Sequence, residues 1–348
     1  MSIDLSSLTR EEKKYVLARS YPLFVAYYGG LKVAPFHDKI ANHWQKNRFS
    51  LTLVPMQHGK ALHPTTPIAT PTGWTTMGEL KVGDQVFSDD GGTCRVTAVQ
   101  RWEHRPLYKV KTNDGEEIVA DEQHEWLATC DIRSKPKLHI TKTLAKPRKQ
   151  KMRTRVADPL DLPERKLPIA PYVLGLWLGD GHSRDGRITI GDEDWGFLSR
   201  ELIREGYRLG ERNSSKAVTV YGIRPLLRKL GILGDKRIPK KYLRASRAQR
   251  LALLQGLIDS DGHVAIDRRK SPEFQGGQVE FCSTNIVLAY DVLELVRTLG
   301  VKATLRRGRA TLNGKDCGEK YRVCFYHGEA ARIPRKRERC RYSEKFAW

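Results

Sequence analysis

Two acidic residues, Asp180 and Asp261, end two copies of one apolar run and are the residues of this sequence best placed to do chemistry. The first copy reads VLGLWLGDG over residues 173–181, and the second reads LQGLIDSDG over residues 254–262. Such runs predict two buried helices that pack on each other, glycine against glycine. Both carboxylates then meet at the negative ends of two helix dipoles, where a hard divalent cation, most simply Mg²⁺, is the natural counter-charge. Gly181 and Gly262 are expected to leave these helices with positive φ.

The repeated run resembles the LAGLIDADG motif of dodecapeptide-type homing endonucleases, from which the second copy departs at two of nine positions. The resemblance implies a domain in which Asp180 and Asp261 each help to hold Mg²⁺ and to activate a water molecule, which attacks one DNA strand in line. It further implies a staggered double-strand break in a long asymmetric target, the host gene without the insertion. The sequence Lys236-Arg237-Ile238-Pro239 resembles the Lys-x-Ile-Pro box of these enzymes. Lys236 is therefore a candidate charge stabiliser, and a solvated lysine is the alternative.

Composition points to the same class of partner. The 348 residues include 62 Lys and Arg against 40 Asp and Glu, a formal net charge of +22, which favours a polyanion. No run approaches the length of a membrane span, and the N-terminus lacks an apolar signal core, so we expect a cytoplasmic protein. The six cysteines have no paired spacing and are interpreted as reduced thiols. A zinc site is the alternative for three of them and a histidine, namely Cys317, Cys324, Cys340 and His327.

Residues 1–60 are interpreted as the start of another protein, a mostly helical N-extein that ends in a partial phosphate-binding loop, LTLVPMQHGK. A complete loop has a glycine where Val54 stands and a Ser or Thr where Ala61 stands. This segment resembles the N-terminus of a phage terminase large subunit, whose packaging ATPase carries a variant loop ending His-Gly-Lys-Ser. An unrelated basic leader is the alternative.

Residues 61–160 are rich in predicted strands and resemble the N-terminal part of an intein splicing domain, the all-β Hint horseshoe. The resemblance implies that His124 polarises the amide between Lys60 and Ala61. Ala61 lacks the usual nucleophile, and Trp126 follows the histidine, as in the class of inteins that uses an internal cysteine instead. A mutated cysteine at position 61 is the competing explanation. The closing strands and a terminal His-Asn pair are expected in a C-terminal segment beyond Trp348.

Residues 161–335 are predicted to form the endonuclease, a pseudo-two-fold αββαββα domain, and residues 336–348 a basic tail leading to the missing Hint strands. The fold class is thus α+β and multidomain. Strands of the two halves are expected to enter successive major grooves of double-stranded DNA. The basic stretch 133–155 is either a solvated linker or an extension of the endonuclease that binds DNA phosphates. The candidate DNA-binding residues are Lys149, Lys151, Arg268, Arg269, Lys270, Arg306, Arg307 and Arg309.

These observations together predict a monomeric intein with a Mg²⁺-dependent homing endonuclease inserted in a phage terminase gene. Two alternatives remain open. One is an endonuclease that has lost cleavage and persists as a DNA-binding module, although an intact aspartate at both motif ends argues against it. The other is a fragment of the packaging ATPase.

Overall fold

The computed structural model describes residues 62–131, 134–146, 151–265, 277–312 and 315–340. Several sequence-based predictions lie outside these ranges. They are the N-extein over residues 1–60, and the site candidates Ala61, Lys149, Arg268, Arg269 and Lys270.

The first part of the described chain consists of short antiparallel strands and one helical turn. Strand β1 pairs with β2, β3 with β4 and β5 with β6, and β7 lies between β8 and β9. An isolated bridge joins Leu62 to Ala120, so the chain following the predicted splice junction lies beside the end of β6. The predicted all-β character of this region is seen apart from helix α1. The elements are β1 Pro67–Thr70, β2 Gly73–Thr76, β3 Gln85–Phe87, β4 Thr93–Arg95, β5 Leu107–Lys111, β6 Glu117–Asp121, β7 Glu125–Thr129, β8 Lys137–Ile140, α1 Thr141–Leu144 and β9 Arg153–Thr154.

The second part opens with the first apolar run as helix α2, Pro171–Asp180, which begins at a proline because the first helical N–H has no intrahelical partner to lose. Two short paired strands and two amphipathic helices follow. Isolated bridges from Gly181 to Ile188 and from Leu209 to Val220 extend this pair on both sides. The elements are β10 Arg187–Thr189, α3 Asp192–Arg204, β11 Ala217–Thr219 and α4 Ile223–Lys229.

The second half repeats this plan with longer strands. Helix α6 carries the second apolar run and begins with a capping box, in which the side chains of Ser246 and Gln249 reciprocally bond the backbone. Its sheet has the order β12-β13-β15-β14, and α7 packs on the face that carries Val279, Phe281, Val323 and Phe325. The elements are α5 Lys240–Leu243, α6 Arg247–Asp261, β12 Gly262–Ala265, β13 Gln278–Ser283, α7 Ile286–Thr298, β14 Ala303–Leu312, β15 Lys315–Phe325 and α8 Pro334–Arg337.

The two halves meet where α2 packs against α6, as the glycine pattern predicts. A β-carbon placed on Gly175 lies 2.3 Å from the carbonyl oxygen of Leu253, and one on Gly256 lies 2.1 Å from that of Tyr172. These distances exclude any side chain at either position. Both helices are buried along most of their length, so one hydrophobic core spans the pair.

The predicted positive φ at the ends of these helices is wrong. Gly181 has φ −75° and Gly262 has φ −88°, so both continue into extended backbone that any residue can adopt. Glycine is needed there for space instead. A β-carbon on Gly181 lies 2.3 Å from the Trp177 carbonyl oxygen, and one on Gly262 lies 2.5 Å from the Cα of Ile258.

Buried arginines join the strand-rich part to the helical part. Arg244, 5% exposed, donates from Nε to the carbonyl of Thr70 at 2.9 Å and from Nη1 to Glu294 at 2.7 Å. Arg250 is fully buried and donates to the carbonyls of Leu160 and Thr298. Because buried guanidinium groups need such acceptors, these contacts fix the connection near residue 160 against α6 and α7.

The helical part extends beyond residue 335, where the sequence analysis begins a basic tail. Lys336 is 8% exposed and Cys340 is 7% exposed, and Cys340 forms a parallel bridge with Gly277. The charged residues of this segment predict an exposed tail, but the Lys336 side chain is buried. Backbone carbonyls accept its hydrogen bonds in place of water. Among the described helices, none combines the length and apolar character that a bilayer span needs.

Candidate active sites

The carboxylates of Asp180 and Asp261 come together at the C-terminal ends of α2 and α6. Both residues keep solvent-accessible surface, yet the surrounding chain removes enough water to change their acidity. Burial raises the pKa of Asp261 to about 6, and the charge of Asp180 adds to this effect, while Lys236 and Lys336 oppose it. Burial likewise raises the pKa of Asp180, again opposed by Lys336 and Lys236. The arrangement therefore concentrates negative charge at one point, as the sequence predicts.

Lys236 lies at the same point, on the segment that leads into α5. Its Nζ donates to the carbonyl of Gly179 at 3.0 Å and lies 5.3 Å from the centre of the Trp177 ring. Burial lowers the pKa of Lys236 to about 8, and the charges of Asp180 and Asp261 resist the shift. The structure thus brings Lys236 together with both aspartates, and the solvated-lysine alternative does not describe this half-buried ammonium.

Lys336 is a second lysine at this site, and the sequence analysis misses it. Its Nζ donates to the carbonyls of Ile258 at 2.7 Å, Asp259 at 2.9 Å, Ser260 at 3.2 Å and Gly262 at 2.8 Å. These acceptors lie around the C-terminal end of α6. One signal is present in the sequence, because Arg332-Ile333-Pro334 repeats the Arg237-Ile238-Pro239 of the first half.

The splicing candidates form a separate cluster in the strand-rich part. The rings of His124 and Trp126 meet edge to face with centroids 4.9 Å apart. Thr141 links the two residues, because its Oγ1 accepts from Trp126 Nε1 at 2.9 Å and donates to the carbonyl of His124 at 3.1 Å. Asp121, three residues before His124, is buried against Arg105, whose Nη1 lies 2.8 Å from its Oδ2.

The DNA-binding candidates on the long hairpin divide between two faces. Arg306 is exposed and lies opposite Arg322 of β15, on the sheet face that points away from α7. Arg307 and Arg309 alternate to the other face, where they form ion pairs with Glu319 and Asp316. Lys151 is exposed near the start of β9. Only Arg306 of these three arginines therefore presents its charge on the outer face of the sheet.

No group of three His, Cys, Asp or Glu side chains within the described ranges is arranged to hold a metal ion. The zinc alternative for Cys317, Cys324, His327 and Cys340 consequently has no cluster behind it there. At the ends of α2 and α6, the carboxylates of Asp180 and Asp261 are the two candidate ligands for a metal ion. Mg²⁺ commonly takes one or two carboxylates and completes its shell with waters and substrate phosphates, so the donor set fits.

A comparison with protein families matches residues 248–337 to the model described as a LAGLIDADG-like domain. This chain contains a LAGLIDADG-like domain. The matched range includes Asp261 and Lys336, and the geometry above pairs it with the first half, which carries Asp180 and Lys236.

Curated relatives extend the similarity beyond the LAGLIDADG-like domain. The chain is 36% identical over 293 residues to the replicative DNA helicase DnaB of Mycobacterium intracellulare, covering 77% of this chain and 47% of the relative. It is 26% identical over 164 residues to the homothallic switching endonuclease of Saccharomyces cerevisiae, covering 38% of this chain and 28% of the relative. The chain spans less than half the length of these relatives.

Among solved structures, the chain is similar in sequence to DnaB inteins. Identity is 47% to the MchDnaB-1 intein, covering 20% of this chain and 54% of that one, with a TM-score of 0.20. It is 41% to the Msm DnaB1 intein splicing domain bound with zinc, covering 28% and 70%, with a TM-score of 0.24.

Proposed function

We propose that this chain is an intein whose LAGLIDADG-like domain is a homing endonuclease that makes Mg²⁺-dependent double-strand breaks in DNA. The observation that carries the proposal is the convergence of Asp180 and Asp261 at the ends of two packed helices, beside the ammonium of Lys236. Two carboxylates with raised pKa values at one solvent-accessible point are suited to a divalent cation, which supplies charge neutralisation and an activated water when bound.

The chain's own residues divide the remaining work. Asp180 and Asp261 hold negative charge at a fixed separation because Gly175 and Gly256 allow the helices to touch. Lys236 brings a positive charge next to both carboxylates, where a phosphate acquires negative charge as its bond breaks. Arg306 presents its positive charge on the outer sheet face, beside the ion pair of Arg322 with Glu280, and this charge suits the phosphates of a duplex. We propose that the protein acts as a monomer, since one chain provides both halves of the site.

Splicing is the second part of the proposal. His124 lies on the loop between β6 and β7, and β6 bridges the chain that follows the predicted junction. We propose that His124 polarises the amide between Lys60 and Ala61, and that a C-terminal segment provides the nucleophile and the terminal His-Asn pair. Ala61 lacks a nucleophile, and Trp126 follows His124. Both features favour the class of inteins that starts without a nucleophile and uses an internal cysteine instead.

The host gene is proposed from residues 1–60. Their resemblance to a phage terminase large subunit supports an insertion after Lys60 in the phosphate loop, so the target is the terminase gene without the insertion. The similarity to DnaB sequences favours a second candidate, a helicase gene. A cleavage assay with both targets separates these hosts.

The test uses three supercoiled plasmids. One carries the uninterrupted terminase sequence across the Lys60 codon, one carries an uninterrupted DnaB gene, and one carries the interrupted gene. With Mg²⁺, the protein should linearise only the plasmid of its host, and Asp180→Asn should abolish linearisation while DNA binding persists. Equal cutting of all three plasmids contradicts homing. Specific binding by the wild-type protein with no cutting supports the alternative of a cleavage-inactive DNA-binding module, and ATP hydrolysis by the chain supports the packaging-ATPase alternative.

A further inference from the structure

The buried ammonium of Lys336 occupies the C-terminal end of α6 and contacts no fewer than four backbone carbonyls there. The last carbonyls of a helix have no partner within the helix, and they form the negative end of its dipole. A lysine at this place satisfies them and neutralises the dipole at once. Asp261 is the last residue of α6, so Lys336 holds the turn that carries this carboxylate.

The two halves of the domain place a lysine at equivalent carbonyls. Lys236 donates to Gly179, the residue before Asp180, and Lys336 donates to Ser260, the residue before Asp261. The sequence positions are not equivalent. Aligned on Arg-Ile-Pro, the counterpart of Lys236 is Ala331, whereas Lys336 lies two residues after Pro334. In the second half, therefore, the lysine that contacts the equivalent helix end comes from a different position of the repeat.

The segment that carries Lys336 is itself fixed to α6. The carboxylate of Asp259, 2% exposed, accepts from the backbone N–H of Arg332 at 3.0 Å and from that of Ile333 at 3.1 Å. The hydroxyl of Tyr172 on α2 also donates to Asp259 at 2.7 Å. Arg332 extends the anchor through Glu201 and Glu205 of the α3 region. The segment that carries Lys336 consequently cannot move away from α6 without breaking a network that joins α2 and α6.

We infer that Lys336 is a positioning residue for Asp261, and that its loss impairs cleavage of one DNA strand more than the other. This inference rests on the proposed endonuclease function. The physical reason is that Lys336 donates to four carbonyls at the end of α6, so the carboxylate that it positions directly is Asp261. Lys236, by contrast, donates to the Gly179 carbonyl at the end of α2.

The experiment compares Lys336→Gln with a control at the equivalent place of the first repeat. Lys241 also lies two residues after a box proline, and its side chain is exposed, so Lys241→Gln removes the same charge without the same contacts. A plasmid with the target labelled separately on each strand reports both cuts. We expect Lys336→Gln to give nicked circles, with one strand cut on the order of 10- to 100-fold more slowly, and with the slow strand the same as in Asp261→Asn. Lys241→Gln should linearise DNA as the wild type does.

A second readout separates this inference from the proposed function. Hydrogen exchange of the free protein should accelerate in peptides over residues 258–265 of Lys336→Gln and stay unchanged over residues 173–181. Assays at a temperature well below the melting points of all variants remove general unfolding from the comparison. Equal slowing of both strands, or equal exchange at the ends of α2 and α6, overturns the inference. A wild-type protein that fails to cut overturns the proposed function instead, and the exchange result then still decides the role of Lys336 in holding α6.

Discussion

Gly175 and Gly256 face each other where α2 crosses α6, and a β-carbon added to either one reaches 3.0 Å or less from the Cα of the other. This contact sets the distance between the two helices, and so it sets the distance between the two aspartates five residues further along. Any added methyl must push the helices apart, because its nearest neighbours are backbone atoms that cannot rotate away.

We expect Gly175→Ala or Gly256→Ala to lower the free energy of unfolding by about 3 kcal/mol or more, at the upper end of the range for overpacked cores. Gly196→Ala is the matched control, because Gly196 lies on the exposed side of α3 and a β-carbon there meets no atom within 4 Å. Alanine at position 196 should stabilise the protein by about 0.5 to 1 kcal/mol through helix propensity. Chemical denaturation of the three variants measures the difference, and equal values for positions 175, 196 and 256 contradict the packing argument.

The sequence predicts this contact because the requirement is local and repeated. Two apolar runs with a glycine at the same place have few other ways to be buried, and the acidic residue that ends each run must then come to the same end. The prediction for Gly181 and Gly262 was wrong because a glycine after a helix can meet two different needs. The turn conformation is the common one, but here the space is filled by Trp177 and Ile258.

Lys336 and Arg307 illustrate what the sequence cannot provide. A lysine in the run Arg335-Lys336-Arg337 looks like a solvated charge, and its burial depends on carbonyls that belong to α6, more than 70 positions earlier. Similarly, the alternation of β14 places Arg306 and Arg307 on opposite faces of the sheet. Only the packing of α7 on the sheet shows which of these faces is buried. Both facts arise from contacts between distant segments, which periodicity does not encode.

The Asp261 carboxylate should reduce stability at neutral pH. Its pKa is raised from an ordinary value near 4 to about 6, so the folded state holds a proton that the unfolded state releases. Stability therefore falls as the pH rises through this interval, and the full cost is present above about pH 6. We expect Asp261→Asn to raise the melting temperature at pH 7.5 by a few degrees, the effect of roughly 1 kcal/mol, a value reduced because the carboxylate keeps solvent contact.

The comparison is made by calorimetry without divalent ions at pH 7.5 and pH 4. The stabilisation by Asp261→Asn should shrink at pH 4, where the wild-type carboxyl is protonated in the folded protein. A melting temperature that falls at pH 7.5, or a difference independent of pH, contradicts the assigned cost of burying this charge beside Asp180.

DNA cleavage should follow a bell-shaped pH profile. The rate should rise as Asp261 loses its proton near pH 6, and it should fall as Lys236 loses its own near pH 8, if the ammonium form is the one that stabilises charge. Bound Mg²⁺ favours the ionised carboxylate and should move the acidic limb to lower pH. Single-turnover rates of strand cleavage between pH 5 and pH 9.5 test the profile. Lys236→Gln should be slow at every pH and should lack the alkaline limb, and an alkaline limb that persists in this variant assigns it to another group.

Affinity for DNA should depend steeply on salt because the net charge of +22 is large. With about 6 to 10 phosphate contacts, the association constant should fall by about 10³ to 10⁵ between 50 and 200 mM salt. Arg306→Gln should reduce the slope of log affinity against log salt by about one, because its guanidinium lies on the outer face of the sheet. Arg309→Gln should change the slope less, since Asp316 already neutralises this arginine in the free protein. Fluorescence anisotropy with Ca²⁺ in place of Mg²⁺ measures the slopes, and equal effects of the two substitutions contradict the division between faces.

Splicing should require a partner segment that brings a nucleophile. Ala61 has no side-chain group to attack the preceding carbonyl, so the chain alone should leave the bond between Lys60 and Ala61 intact. A C-terminal segment with a cysteine and a His-Asn end should restore ligation when added in trans, and His124→Ala should block it. Trp126→Phe removes the donor to Thr141 that helps to hold the His124 backbone, so it should slow ligation without abolishing it. Gel mobility of the ligated product measures each case. If ligation with the same segment instead requires Ala61→Cys, then alanine at position 61 is an inactivating change. The assignment to the class of inteins that starts without a nucleophile is then wrong.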